Sequence, residues 1–344
     1  DHRDLHLCDR RQRLMSIRAS IGDKAQLPPV GEEESPALSA SVMEGYGLKV
    51  YECDLNEVLR QSQSSGILYN ATLIRQMITH DAVTGLPLIR FKGFADIVMM
   101  PGAELVESLG DSYHHVGLDE TMVITRSNKR ANIYNNGIRN MVLDREEELS
   151  SGDMLMIVKN NYFWTEKEKK ESGEGSAGAV PAFLANGDRA KVLRVSNYIE
   201  LYGFRFATLQ LQLPDYDDYE MQVTGMLDTL QSEAPALTHE QQEELFRQVE
   251  EDYQHFVPLK ADRMKSIRQD AYFNALQIKY AYAVTCHKAQ GGQWAHVYVD
   301  QGYMTDDMLT PDYIHWLYTA FTRATDKLFL VNWPKEQTCE PTDL

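Results

Sequence analysis

Short apolar segments alternate with helix-like segments through the first half of the chain. Ile97–Met100 and Thr121–Thr125 are short and largely apolar, a pattern typical of parallel strands that are buried on both faces. Ile67–Ile78 and Lys129–Leu143 have the length and spacing of helices, and Val50–Cys53 predicts a further short strand. This alternation predicts an α/β domain with a parallel, doubly wound sheet.

The pattern changes in the middle of the chain. Gly152–Asn161 and Gly187–Leu213 are rich in β-branched and aromatic residues with period-two stretches, which predicts a small β-barrel inserted into the α/β domain. Between these segments, the charged stretch Thr165–Ser176 is expected to be a flexible loop. The capping-box sequence Thr238–Gln241 predicts the start of a helix that continues through His255.

The α/β pattern returns towards the C-terminus. Ile278–Thr285 is predicted as one strand and Leu328–Val331 as the last strand. A helix between them is expected to begin with Thr310 as N-cap and Pro311 in the first helical position. Its apolar residues follow the spacing of one buried face. They are Tyr313, Trp316, Leu317, Ala320 and Phe321.

Composition is that of a globular protein without a membrane span. The 344 residues suggest about two domains, with 43% hydrophobic and 25% charged residues. No apolar run approaches the roughly 20 residues that a spanning helix needs, and no secretory signal pattern is present. The four cysteines are far apart, which predicts reduced thiols, no metal site and a cytoplasmic location.

The net charge of -17 disfavours non-specific attraction to nucleic acid, because backbone binding depends on lysine and arginine. The acidic residues are unevenly distributed, however. Asp215–Glu251 is densely acidic, with Arg247 as its only lysine or arginine. A protein that binds single strands needs only a local groove of cationic or hydrogen-bonding groups. The overall charge therefore does not exclude a nucleic-acid partner.

Two segments near the C-terminus place polar and cationic groups at the ends of apolar elements. In Tyr282–Trp294, glycines would let backbone amides approach an anion, and hydroxyl and imidazole groups could donate to phosphates. Leu317–Ala324 ends in Arg323, whose permanent positive charge and forked shape suit a phosphate. A helix C-terminus also favours a cation by about 0.3–1 kcal/mol, which is the simpler explanation of this arginine.

Together these two segments resemble motifs V and VI of superfamily 1 DNA helicases, most closely the RecD-like (exodeoxyribonuclease V alpha-like) branch. Gly22–Val30 resembles motif III of the same family and Leu55–Gln61 resembles motif IV. Thr125–Lys129 resembles the strand-end loop that contacts single strands. The resemblance covers the chain from Ile21 to Val331 with its motifs in the family's order. It implies ATP-dependent translocation on single-stranded DNA, in the 5′ to 3′ direction that is typical of that branch.

The resemblance also implies roles for individual residues. Arg323, Arg60 and Gln26 would act on the γ-phosphate of ATP. Contacts to the bound nucleotide would come from Gly22, Asp23, Gln61, Gly291, Gly292 and Gln293. Contacts to DNA would come from Thr285, His287, Lys288, Ser127 and Asn128. Relatives usually carry glutamate where this chain has Gln293, and in them that residue often contacts the ribose of the nucleotide.

The departures from the family pattern concern the nucleotide-binding machinery. The sequence contains no G-x-x-x-x-G-K-[ST] phosphate loop, and no apolar strand ending in Asp-Glu precedes Gly22. ATP and Mg²⁺ are therefore expected as cofactors of an intact helicase, and tight binding to this chain alone is not expected. A missing N-terminal RecA-like domain, in cis or in trans, is the expected partner besides single-stranded DNA. The alternative is a non-catalytic module that binds single-stranded DNA or a protein and retains relic motifs.

The predicted fold class is α/β, a RecA-like parallel-sheet domain with an inserted SH3-like β-barrel and helices. Residues 1–45 are assigned to the remnant of a first RecA-like domain. The second RecA-like domain is assigned to 46–148 and 276–344, and the barrel with a helical segment to 149–275.

Overall fold

Five parallel strands form the sheet that carries the two C-terminal segments. The computed structural model describes residues 20–32, 34–53, 65–79, 85–172, 180–305 and 308–339. In chain order the strands are β1 (Ile97–Met100), β2 (Thr121–Thr125), β3 (Met154–Ile157), β4 (Arg189–Leu201), β5 (Phe204–Leu213), β6 (Tyr219–Met226), β7 (Leu276–Tyr280), β8 (Ala283–Thr285), β9 (Trp294–Asp300) and β10 (Ala324–Val331). The sheet order is β1-β10-β9-β2-β8, with every neighbouring pair parallel.

Helices pack around this sheet and beside the barrel. They are α1 (Ala40–Gly45), α2 (Gly66–Thr79), α3 (Leu105–His115), α4 (Asn128–Gly137, continued by a π-helical turn at Ile138–Val142), α5 (Phe163–Ser172), α6 (His239–Gln254), α7 (Lys260–Ile267), α8 (Cys286–Ala289) and α9 (Pro311–Phe321). The central strands of the sheet contribute apolar residues to the core, with Val123, Ile124, Val297 and Leu330 at 0% exposure. The predicted parallel sheet is confirmed.

The remaining strands close a small barrel in the order β3-β4-β5-β6-β7. Strands β3 to β6 pair antiparallel, β3 also pairs antiparallel with β7, and β6 and β7 close the barrel as a parallel pair. Its interior is apolar, with Leu155, Val192, Leu209, Leu211 and Ile278 at 0% exposure. The predicted inserted barrel is therefore confirmed as well.

Helices α6 and α7 form a second, smaller core at one end of the barrel. Phe206 of β5 and Met226 of β6 pack there against Leu245, Val249 and Ile267 of the two helices. The capping box predicted at the start of α6 is present. Thr238 accepts a hydrogen bond from the amide of Gln241, and the Gln241 side chain accepts one from the amide of Thr238.

The start of α9 also follows the sequence. Thr310 accepts a hydrogen bond from the amide of Tyr313 at 3.2 Å, and Pro311 occupies the first turn. The apolar face of the helix, from Tyr313 to Phe321, is buried against the sheet as predicted. The sequence was sufficient to locate this helix, because its N-cap and its apolar spacing each involve residues only a few positions apart.

Two local predictions are wrong. The charged stretch from Thr165 is not a loop as far as it is described, because α5 extends to Ser172, and residues 173–176 lie outside the described residues. Trp164 anchors the first turn of α5, since its buried indole N–H donates to the carbonyl of Asn274 at 2.9 Å. Lysine and glutamate then favour the helical conformation. Val50–Cys53 forms no strand, because Tyr51 is 81% exposed and no strand among the described residues pairs with this segment.

The segment predicted as one strand, Ile278–Thr285, is divided between two sheets. It pairs in the barrel as β7 up to Tyr280 and joins the parallel sheet as β8 from Ala283. The side chain of Asn135, buried in α4, binds the backbone at this break. Its Oδ1 accepts from the amides of Tyr282 and Ala283, and its Nδ2 donates to the carbonyl of Ala283 at 2.9 Å. These bonds take the backbone groups that a continuous strand would use for pairing.

A buried charge cluster fixes the barrel at this same junction. Asp153 is 0% exposed and accepts two hydrogen bonds from the guanidinium of Arg139, from Nε and Nη2, both at 3.0 Å. Arg145 donates to the same carboxylate at 2.7 Å, and the hydroxyl of Tyr282 donates to it at 2.7 Å. Burial by itself would raise the pKa of Asp153. Hydrogen bonds from Arg139, the amide of Ser150 and Tyr282 more than offset it and lower that pKa.

We expect Asp153→Asn to lower the free energy of unfolding by about 3–5 kcal/mol. The substitution keeps the shape of the side chain but leaves the buried cation of Arg139 without its counter-charge. Urea-induced unfolding of the two proteins measures the difference. Because the pKa of Asp153 is lowered in the folded state, its contribution is complete above the unfolded pKa and is lost as the pH falls through the folded value. The wild-type protein should therefore lose stability in acid more steeply than the variant.

Glu244→Gln is the matched control, because Glu244 forms an exposed ion pair with Arg247 in α6. Such exposed pairs contribute about 0–1 kcal/mol, so this variant should unfold almost as the wild type does. Equal losses in the two variants would contradict a special role of Asp153 at the junction.

Candidate functional site

The carboxyl edge of the sheet brings together the residues predicted to contact DNA. Strands β2 and β8 are parallel neighbours, with Thr125 directly opposite Thr285. The exposed Ser127 and the half-buried Asn128 therefore leave the same edge as Thr285 and the exposed His287. Ser127 is the N-cap of α4 and accepts from the amide of Arg130 at 3.2 Å. Its hydroxyl is thus partly occupied by the helix that it begins.

Helix α8 and the glycine loop (residues 290–293) return the chain from β8 to the start of β9. Cys286 is fully buried at the start of α8, and burial raises the pKa of its thiol to about 12, which makes it a packing residue. Gly291 has φ +84°, a conformation that favours glycine. A Cβ atom on Gly292 would lie 2.4 Å from the ring of Trp294. Both glycines are therefore required by the fold of the loop itself.

A polar cleft of about 540 Å³ separates this region from the barrel. We refer to it as the barrel–α8 cleft. His287, Lys288 and the glycine loop line one side, and Asn186, Gly187 and Arg189 line the barrel side. The ammonium of Lys288 donates to Oδ1 of Asn186, which bridges the cleft. The exposed Gln293 lines it as well.

Arg323 lies at the opposite, amino edge of the sheet, immediately before β10. Its side chain is buried, with 3% of the residue exposed. It donates to the carbonyl of Thr319 at 3.0 Å, to the carbonyl of Gly292 at 3.2 Å and to the hydroxyl of Thr322 at 3.0 Å. The guanidinium therefore joins the end of α9 to the glycine loop. Its contact with a phosphate stays a prediction.

The N-terminal loop (residues 20–32) docks on α9 and on the glycine loop. The amide of Leu27 donates to Oγ1 of Thr319 at 2.8 Å, and the carbonyl of Leu27 accepts from the side chain of Gln290 at 2.6 Å. The ring of His315 bonds to the carbonyl of Ala25 at 2.9 Å. Gln26, half-buried, lies between two anchored and buried neighbours. The segments that resemble motifs III, V and VI are thus held together by direct hydrogen bonds.

Asp23 is engaged within the protein. Its carboxylate accepts from the hydroxyl of Tyr318 at 2.8 Å, from Arg75 of α2 at 3.3 Å and from the amide of Ala25 at 3.0 Å. Arg75 also donates to the Tyr318 hydroxyl at 3.0 Å. Burial and the neighbouring Asp23 raise the pKa of Tyr318 to about 12, so the hydroxyl remains protonated and donates. In this arrangement Asp23 anchors the loop, and its contact with nucleotide stays a prediction.

The remaining predicted site residues are placed as follows. Gly22 is exposed, and a Cβ atom there would lie 2.6 Å from the side chain of Leu38. Arg60 and Gln61, with the segment that resembles motif IV, lie outside the described residues. Within the described part of the chain, no group of three or more His, Cys, Asp or Glu side chains could hold a metal ion.

Sequence reasoning gave no role to Gln290, Thr319 and Tyr318, although all three lie in the segments that it identified. Their partners are distant along the chain: Leu27 and Thr319 are separated by 292 residues. No spacing rule predicts such a pair. The polar groups of Tyr318 and Thr319 on an otherwise buried helix were a usable signal, whereas Gln290 lies exposed in the glycine loop and gave none.

A comparison with protein families finds a match in the part of the chain that contains both C-terminal segments. Residues 280–331 match the family model of the UvrD-like helicase C-terminal domain. The match runs from the end of β7 to the end of β10 and includes both C-terminal segments. It supports similarity of this part of the chain to the C-terminal portion of superfamily 1 helicases. No curated protein matches the chain significantly.

Solved structures of Pif1 helicases show a weaker likeness. The structure from Candida albicans is 14% identical with a TM-score of 0.37, and the match covers 93% of this chain and 65% of that one. The structure from Bacteroides, in complex with ADP-AlF3 and single-stranded DNA, is 12% identical with a TM-score of 0.43, and the match covers 93% and 63%. The chain therefore spans less than two thirds of the length of these helicases. At such identities and TM-scores the likeness carries no inference about function.

None of the described helices combines the length and the apolar character that crossing a membrane requires.

We expect Thr319→Val to release the N-terminal loop. The substitution keeps the shape of the side chain but leaves the buried amide of Leu27 without its acceptor. Such an unsatisfied group costs about 1–3 kcal/mol, so hydrogen exchange at Leu27 and its neighbours should accelerate. Hydrogen-exchange mass spectrometry of the peptide that contains Ala25 and Leu27 measures this effect.

Thr72→Val in α2 is the matched control. The hydroxyl of Thr72, like that of Thr319, donates to the carbonyl four residues before it, but Thr72 is exposed and holds no loop. Exchange in the N-terminal loop should be unchanged in this variant. Unchanged exchange in Thr319→Val would show that the loop is held by other contacts.

Proposed function

We propose that this chain supplies the second RecA-like domain of an ATP-dependent DNA helicase of superfamily 1, of the RecD-like branch. In this proposal the intact enzyme translocates 5′ to 3′ on single-stranded DNA. The domains are those assigned above: 1–45 as a remnant of the first RecA-like domain, 46–148 with 276–344 as the second, and 149–275 as the barrel and its helices. Location in the cytoplasm belongs to the same proposal.

One observation carries the proposal. Three segments with the motif sequences of a helicase are joined by hydrogen bonds through Leu27, Thr319, Gln290 and Arg323, although they are far apart in the chain. An ATP-driven motor requires such a link, because changes around the γ-phosphate must reach the segment that contacts DNA. The match of residues 280–331 to a helicase domain supports the same conclusion independently.

The proposed division of roles follows the two edges of the sheet. At the carboxyl edge, Thr285, His287, Ser127 and Asn128 donate to the backbone of single-stranded DNA, with Lys288 in the adjoining cleft. At the amino edge, Arg323 and Gln26 act on the γ-phosphate. Arg60, which lies outside the described residues, has the same role in this proposal. Gly22, Asp23, Gln61, Gly291, Gly292 and Gln293 belong to the nucleotide-facing surface.

A domain that carries a phosphate loop, in the same polypeptide or in a partner, completes the nucleotide site in this proposal. That domain also supplies the ligands of Mg²⁺. ATP, when bound there, supplies the free energy for movement through transfer of its γ-phosphate to water. The residues of this chain contribute a fixed positive charge at Arg323, and they connect its position to the N-terminal loop through α9.

We expect the purified chain to bind single-stranded oligo(dT), and His287→Ala to weaken that binding about five-fold. A single hydrogen bond to a charged phosphate is worth on the order of 1 kcal/mol or more, which corresponds to this change. Fluorescence anisotropy of a labelled oligonucleotide measures the affinity. His239→Ala in α6 is the control, because that histidine is also exposed but belongs to a helix that packs at the end of the barrel, with no predicted contact to DNA. Absence of binding by the wild-type chain would overturn the DNA-binding part of the proposal.

We further expect ATP hydrolysis only when a domain with a phosphate loop is present, joined to the chain or added to it. In that assembly Arg323→Lys should lower the rate about 10³-fold or more, as loss of a γ-phosphate arginine does. Oligo(dT) binding should stay unchanged, which distinguishes loss of chemistry from loss of folding. An assembly that binds oligo(dT) but never hydrolyses ATP would favour the alternative, a non-catalytic single-stranded DNA-binding or protein-interaction module.

A further inference from the structure

The connection between α6 and α7 holds two large apolar side chains in water. Phe256 is 79% exposed and Leu259 is 67% exposed, although the helices on either side bury their own apolar residues in the smaller core. We refer to residues 256–259 as the hairpin tip. Single exposed apolar residues are common on protein surfaces, whereas large ones that stand together mark a contact with another molecule more often.

Hydrogen bonds hold the hairpin tip in a defined conformation. Arg263 of α7 donates to the carbonyls of Val257 and Pro258 at 3.2 and 3.4 Å. The same guanidinium pairs with Glu250 of α6 at 3.4 Å, and the arginine side chain is only 12% exposed. The two apolar side chains are therefore presented by a braced backbone, so less entropy would be lost when a partner covers them.

Beside the hairpin tip, the ridge of α6 that faces away from the barrel is acidic. Its charged residues recur at helical spacing, and they are Glu240, Glu243, Glu244, Arg247 and Glu251. We refer to these residues as the acidic ridge. Arg247 is already paired with Glu244, so the ridge as a whole is negative. Glutamates three or four positions apart repel each other, and a cation placed between them would relieve that repulsion.

The C-terminal end of α6 has an unfavourable charge in the isolated chain. Its last turn contains the exposed carboxylates of Glu251 and Asp252 and no basic residue. Carboxylates at this end meet the negative pole of the helix dipole, which favours cations instead. Asp252 accepts a hydrogen bond from the hydroxyl of Tyr202 at 2.9 Å, a neutral donor that supplies no counter-charge. A cation from another molecule would supply it, one helical turn from the hairpin tip.

We propose that the hairpin tip and the acidic ridge together form a docking surface for a basic amphipathic helix of a partner protein. Apolar residues of that helix cover Phe256 and Leu259, and its lysines or arginines meet the glutamates of α6. The acidic charge disfavours nucleic acid and anionic lipid as occupants, because both present phosphate groups. The surface lies at the end of the barrel, among residues to which the proposed helicase function assigns no contact.

Peptide selection tests the docking surface without a known partner. A phage-displayed library of random peptides, 16 residues long to match α6, is panned on the wild-type chain. Phage that also bind the double variant, Phe256→Ser with Leu259→Ser, are removed. We expect the retained peptides to combine lysine or arginine with apolar residues at helical spacing. No retained peptide, or retained peptides without net positive charge, would overturn the proposal.

Fluorescence anisotropy of a retained peptide then measures the two parts of the surface separately. Glu251→Lys should weaken binding about five-fold at low salt and less at high salt, because salt screens exposed charges. Phe256→Ser should weaken binding at least about five-fold at both salt concentrations, because apolar contacts are not screened.

The matched controls are Glu220→Lys in β6 and Tyr198→Ser in β4, which change exposed residues of the same barrel. The first makes the same change of charge as Glu251→Lys, and the second removes an exposed aromatic ring. Both should bind the peptide as the wild type does. Losses as large as those of Glu251→Lys and Phe256→Ser would show non-specific attraction and contradict a docking surface at the hairpin tip.

Two further measurements distinguish other occupants. If vesicles that contain phosphatidylserine bind the wild-type chain and not the double variant, the hairpin tip contacts lipid and a protein partner is wrong. If the wild-type chain dimerises in sedimentation and the double variant does not, the occupant is a second copy and a basic partner is wrong. The double variant should unfold in urea as the wild type does, since both side chains are exposed. Should it not fold, Glu251→Lys and its control decide.

Discussion

The junction between the barrel and the parallel sheet is the constraint on which the other features depend. The chain passes from one to the other through residues 281 and 282, where Asn135 takes the backbone hydrogen bonds and Asp153 holds Arg139, Arg145 and Tyr282. These groups are buried, so an incomplete network would leave charges without partners. The barrel is therefore held in one position relative to β8. Because β8 leads directly into α8, the same junction also fixes the wall of the cleft that Lys288 and Asn186 bridge.

The second organising feature is the buried helix α9. Its apolar face packs on the sheet, while Thr319, Tyr318 and His315 bind the N-terminal loop and Arg323 binds the glycine loop. One helix thus contacts every described segment that resembles a nucleotide-facing motif. In the proposed helicase, a change at the γ-phosphate would pass through α9 to the glycine loop. From the glycine loop it would reach the DNA contacts, which begin at Thr285. A link of this kind needs rigid packing and discrete hydrogen bonds, and both are present.

The distribution of charge differs between the overall surface of this protein and the region of the candidate DNA contacts. A net charge of -17 would repel DNA from most of the surface, and α6 contributes strongly to it with its exposed glutamates. Lys288, by contrast, lies in the cleft beside the candidate DNA contact His287, and in the described part of the chain its ammonium bonds to a neutral amide oxygen. A polyanion would be attracted to this cleft and repelled by the acidic surface elsewhere, which would confine it to one path.

The sequence by itself determined the elements whose causes are local: the short buried strands β1 and β2, the capping box of α6, and α9 with Thr310 and Pro311 at its start. It also located the segments that carry the candidate chemistry. Only the tertiary structure decided that Leu27 meets Thr319 and Gln290, and that Asn135 binds the chain where it passes from β7 to β8. It also decided that Trp164 anchors a helix in a charged stretch. Caps and periodicity depend on residues within a few positions of each other. Register, burial and the pairing of charges depend on contacts between residues that are far apart in the chain, and no local pattern encodes them.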